Sequence, residues 1–135
     1  MQSEDFQLQS SDQHSIYGTH WRAPVPVRGV IQVFHGLGEH RARYARFAGT
    51  AVARGLSVIA HDHRGHGPHA DLLGHFSDRD GWRRLIDDGL LVNDMIGDHY
   101  PGVPIVLLGH SMGSYLAQGF SMVHGYRLTA LALSA

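Results

Sequence analysis

Ile105-Val106-Leu107-Leu108-Gly109-His110-Ser111-Met112-Gly113 is the stretch whose reading decides the fold. Four apolar residues in a row fit a strand buried on both faces. A G-x-S-x-G turn follows at once, and Met112 to His124 then reads as a helix that ends before Gly125. Strand, tight turn and helix in that order would strain the serine and present its hydroxyl at the carboxyl edge of a sheet. Side chains at 109 and 113 are expected to collide with that serine, hence the two glycines. The helix N-terminus beneath it favours developing negative charge. A serine N-cap flanked by packing glycines is the plainer alternative.

Working back toward the N-terminus, similar apolar runs recur at Gly29–Phe34 and Ser57–Ala60, and a further one lies ahead at Leu128–Leu133. Strands covered on both faces belong to a parallel sheet with helices above and below. Helices are expected over Tyr44–Arg54, capped by Gly55, and over Trp82–His99. On the second, Leu85, Ile86, Leu90, Asn93 and Ile96 make the apolar stripe, while Gly89 and Gly97 each weaken it by up to ~1 kcal/mol. Before these, Phe6, Leu8 and Ser10, then Ile16, Gly18 and His20, alternate with polar residues around a turn at Ser11–His14. The fold class is α/β, a doubly wound and mostly parallel sheet with an N-terminal antiparallel hairpin.

Composition narrows the chemistry. The chain has 135 residues, 43% of them apolar, and a net charge of -1. That suits one domain. It gives no basic face for nucleic acid. There are no cysteines and no lysines, which excludes disulfides, thiolate zinc sites, Schiff bases and a phosphate-loop lysine. The polar, acidic start is unlike a secretory signal, and no apolar run approaches the ~18 residues of a membrane span. A cytoplasmic location is expected, with at most transient membrane contact.

His35-Gly36-Leu37-Gly38 follows the first buried strand. Acyl transfer builds a tetrahedral oxyanion that needs two fixed N–H donors. One comes from the residue after the nucleophile and one from the loop after this strand, where glycines let the backbone approach. Met112 and Leu37 are the candidates.

His35-Gly-Leu-Gly-Glu-His40, Asp62-His-Arg-Gly-His-Gly67 and Gly109-His-Ser-Met-Gly113, in that order and spacing, resemble the monoacylglycerol lipase and lysophospholipase-like branch of the α/β-hydrolases, of serine aminopeptidase S33 type. The resemblance runs from about Gly29 to Ser134. It implies Ser111 as nucleophile, Leu37 and Met112 as oxyanion donors, and Glu39 and His40 at the entrance. His35, Gly36, Gly38, Gly109, His110 and Gly113 support them. It also implies a monoacylglycerol or lysophospholipid substrate and no cofactor or metal. Ser114 stands where the family often has a second glycine, a change expected to be tolerated.

The family places its acid and its histidine after the serine, on later strands, with a cap in between. Here no Asp or Glu follows Ser111, and the one histidine that does, His124, lies ~20 Å along the helix. His110 is a neighbour on a sharp turn, so its ring should point away and pack against the sheet. The chain therefore reads as the N-terminal part of a hydrolase core, ending after its sixth strand, with cap and C-terminal part as the missing partner. The isolated chain should be inactive, since an unassisted serine is a poor nucleophile.

Two other classes remain open at this stage. His61-Asp62-His63-Arg64-Gly65-His66 is close to an H-x-H-x-D-H metal signature, but Gly65 stands where the aspartate belongs. A non-catalytic, hydrolase-like module would explain the missing acid and base. Asp87 and Asp88 are adjacent on a helix and diverge, which argues against a carboxylate pair.

Overall fold

The computed structural model describes residues 1–135. Strands β1 (Gln2–Gln9) and β2 (Ser15–Arg22) form the antiparallel hairpin. After them come β3 (Gly29–Phe34), α1 (Ala45–Val52), β4 (Leu56–His61) and α2 (Gly81–His99). The chain continues through β5 (Ile105–His110), α3 (Met112–His124) and β6 (Ala130–Ser134). One six-stranded sheet results, in the order β1-β2-β4-β3-β5-β6. The strands β4, β3, β5 and β6 run parallel, and β2 joins them antiparallel to β4.

Helices cover both faces. Ala48 and Ala51 of α1 pack with Val33, Val58, Ala60 and Trp21 on one side. On the other, Leu85 of α2 and Leu116, Ala117 and Phe120 of α3 pack with Phe34 and Leu107. Val92 and Ile96 complete that side against Ile16, Val30, Ile59 and Ile105. Alternate residues of β3 thus serve opposite faces, as the two-residue strand period requires.

Several boundaries depart from the sequence expectation. A 3-10 turn over Arg41–Tyr44 precedes α1, which stops at Val52 rather than Arg54. Gly55 still closes the turn, at φ 84°. The buried face of α2 comprises Leu85, Asp88, Gly89, Val92, Asn93 and Ile96, so Ile86 and Leu90 sit at its rim. Gly89 is a packing device rather than a weakness. A Cβ there would meet the Phe34 ring at 2.6 Å, and its carbonyl accepts Gln32 Nε2 at 2.9 Å. The last strand begins at Ala130, two residues later than its apolar run.

A buried ion network ties the hairpin turn to α2. Arg64, just beyond β4, donates to both carboxylate oxygens of Asp88, at 2.7 and 3.0 Å, and also reaches Asp12 and Ser10 Oγ. Asp12 is held well below the usual carboxylate range, chiefly by its hydrogen bonds from Arg64. Burial pushes Asp88 up, and Arg64 opposes that rise. Arg84, in the first turn of α2, lies 3.7 Å from Asp12.

Candidate active site

Ser111 lies between β5 and α3 with φ 54° and ψ −120°, and it is exposed. This is the strained turn that the motif predicted. Its glycines are required for a different reason from the one expected. A Cβ on Gly109 would lie 2.3 Å from the Gly113 carbonyl oxygen. One on Gly113 would lie 2.0 Å from the Phe34 carbonyl oxygen. The clash is therefore with the backbone of α3 and β3, not with the serine. The turn is pinned at both ends: Ser111 N–H donates to Ser134 O at 2.8 Å, and Ser111 O accepts Ser114 N–H at 2.9 Å.

The loop after β3 comes against this turn. A Cβ on Gly36 would be 3.2 Å from Ser111 Cβ and 2.5 Å from Glu39 Oε2. Glu39 Oε2 accepts the Gly36 N–H at 2.6 Å, and its other oxygen lies 3.4 Å from Arg43. Tyr44 is pushed up to about 12, first by burial and then by the Glu39 charge beside it. Gly38 takes φ 74°, which lets the loop turn away toward the 3-10 helix. Leu37 N–H donates to no protein group, and the residue is well exposed. Met112 is the first residue of α3, so its N–H has no partner within the helix. One free amide donor thus lies at the start of α3, next to Ser111 in the chain, and another in the loop whose Gly36 packs against Ser111.

The loop after β4 supports the arrangement from below. Asp62 accepts the Arg41 N–H at 2.7 Å and pairs with the Arg41 guanidinium. His35 Nε2 accepts the His63 N–H at 3.0 Å, and His35 Nδ1 meets the Gly36 carbonyl at 2.8 Å. His61 and His63 are buried, and neither ring has a hydrogen-bond partner. Burial drives the pKa of His61 down to about 3, that of His35 to about 4, and that of His63 well below its ordinary value. These rings are neutral at pH 7. No three His, Asp or Glu side chains converge in a way that could hold a metal ion.

His110 ends β5 opposite Ser134 of β6. It is half-buried, and its Nδ1 lies 3.0 Å from Ser134 Oγ at the end of β6. Ser111 Oγ has no hydrogen-bond partner, and His124 closes the far end of α3. Ser114 does more than tolerate the family's glycine position, since its Oγ donates to the Ser111 carbonyl at 2.6 Å. Sequence reasoning missed that contact, and it missed Glu39 as the acceptor of Gly36 N–H. The Gly36-x-x-Glu39 spacing resembles the reach-back of a capping box and could have signalled the latter.

The family model for serine aminopeptidase S33 matches residues 25–135. The chain belongs to that family. It is 36% identical over 110 residues to a human monoglyceride lipase, covering 82% of this chain and 35% of that protein. It is 34% identical over 118 residues to a monoacylglycerol lipase of Mycolicibacterium smegmatis, covering 84% of this chain and 40% of that one. Among solved structures, a thermostable carboxyl esterase from Bacillus coagulans in complex with glycerol superposes with TM-score 0.91 at 31% identity. That match covers 98% of this chain and 44% of the esterase. The chain thus spans well under half the length of these relatives, and its fold is that of the α/β-hydrolases.

Proposed function

We propose that this chain carries the nucleophile and oxyanion side of a serine hydrolase that cleaves carboxylic esters. Ser111 Oγ attacks the ester carbonyl and gives up its proton to a base. The alkoxy bond breaks, the alcohol leaves with that proton, and the acyl group stays on Ser111 until water releases it as an acid. Leu37 and Met112 N–H groups hold the oxyanion. The observation that carries this proposal is Ser111 itself: an exposed serine at φ 54°, backed against Gly36 of the loop that follows β3. A merely structural N-cap has no use for that strain, and Ser111 caps nothing with its side chain.

The base and acid are not among the groups around Ser111, so the reaction draws them from further polypeptide of the same hydrolase. The exposed β6, with Leu131 and Leu133 on the open side of the sheet, supports an additional strand there. Monoacylglycerols or lysophospholipids are the substrate class. The lipase relatives support the first, and exposed Leu37 beside Ser111 suits an acyl chain. A cytoplasmic enzyme that touches membranes transiently to collect lipid fits both. No cofactor takes part.

The test is covalent labelling by a fluorophosphonate probe, on the 135-residue chain and on the chain joined to the C-terminal part of a related lipase. Labelling of the joined protein that vanishes with Ser111→Ala supports the proposal. No labelling in either, with the fold intact, favours a non-catalytic module.

A further inference from the structure

The Gly36–Leu37 peptide is one planar trans unit, so whatever fixes the Gly36 carbonyl also fixes the Leu37 N–H that points the opposite way. That carbonyl meets His35 Nδ1 at 2.8 Å and accepts the Glu39 N–H at 3.2 Å. A carbonyl has no proton to give, so His35 Nδ1 carries the hydrogen. On the far side of the ring, Nε2 accepts the His63 N–H at 3.0 Å and must be bare. Partners from two separate segments therefore select a single tautomer. The ring is fully buried, with His63 and His66 centred 4.2 and 5.3 Å away. Asp62 and Glu39 are the carboxylates whose charge acts on it, and on the α3 side a Cβ on Gly113 would lie 2.6 Å from the His35 carbonyl oxygen.

We propose that His35 is the positioning residue of the Leu37 donor. It locks the Gly36–Leu37 peptide against flipping, through a relay from the His63 N–H to the ring and from the ring to the Gly36 carbonyl. Flipping that peptide would break two bonds to the carbonyl and reverse the direction of the Leu37 N–H. The same relay strengthens the donor, because a hydrogen bond accepted by an amide carbonyl polarises the N–H of that amide. The role of Leu37 rests on the hydrolase proposal; the lock itself does not.

The test is NMR on the full 135-residue chain at pH 7. Long-range nitrogen–proton correlation should show His35 protonated at Nδ1 and bare at Nε2; a ring protonated at Nε2 overturns the inference. In H35F, which fills the space without either nitrogen, His63 N–H should exchange roughly tenfold faster. The Leu37 amide signal should broaden or split as the peptide samples both orientations. H35N, which returns a donor near the Nδ1 position, should restore one sharp Leu37 signal. A Leu37 signal unchanged in H35F, or not restored in H35N, overturns the inference. If H35F does not fold, the tautomer and the H35N signal decide. Loss of Ser111 labelling with these signals intact would count against the hydrolase proposal alone.

Discussion

Ser114 Oγ donates to the carbonyl of Ser111 at 2.6 Å, beside the Ser114 N–H bond to the same oxygen. The hydroxyl thus gives the strained residue a second anchor in the first turn of α3. Ser114→Ala should lower stability by about 1 kcal/mol, the net value of one such bond. Urea unfolding checks this, and an unchanged midpoint would show the second bond to be idle.

Ser111 itself sits at φ 54°, a region that costs a non-glycine residue about 1–3 kcal/mol. Ser111→Gly should relieve most of that cost and raise the melting temperature by about 3 °C. It should also abolish probe labelling. A lower melting temperature would show that the serine side chain stabilises the turn.

Arg64 joins Asp88 and Asp12 across a buried gap. Arg64→Met leaves Asp88 buried without its partner and should cost about 3–5 kcal/mol. The double variant Arg64→Met with Asp88→Leu should recover part of that loss. Urea midpoints of the two variants give the comparison, and equal midpoints would rule out an uncompensated charge as the cause.

Acid should destabilise the fold through its buried histidines. His20 and His35 are lowered to about 4 and His61 to about 3, each chiefly by burial, and burial also drives His63 well below its ordinary value. Their folded values lie below the unfolded value near 6.5, so the unfolded chain binds more protons between the two. Stability is therefore complete above about pH 6.5 and declines as pH falls toward 4. Each proton taken up contributes about 1.4 kcal/mol per pH unit. Unfolding midpoints at pH 7, 6 and 5 should show an uptake of several protons; an uptake below one would contradict the buried neutral rings.

The hairpin, the parallel strands and the elbow were legible in the sequence because each rests on a local pattern. Runs such as Ile105–Leu108 and the glycines at 109 and 113 carry their meaning within a few residues. Ser111, Leu37 and Met112 are candidates on the same local spacing. The Arg64 network was not legible, since positions 12, 64 and 88 share no period and meet only when the hairpin turn folds over α2. The clash behind Gly113 was hidden for the same reason, as its partner is a carbonyl of β3. His110 could be seen as a neighbour of the serine, but its turn toward Ser134 depends on where β6 ends up.

The bond from Ser111 N–H to Ser134 O makes the outermost strand part of the elbow's own foundation. A shift of β6 along β5 would move that carbonyl and release the amide of the very residue whose backbone is most strained. Any displacement of that edge would therefore alter the Ser111 backbone from behind, without touching its side chain. The register of β6 and the backbone of the elbow are thereby coupled through one hydrogen bond.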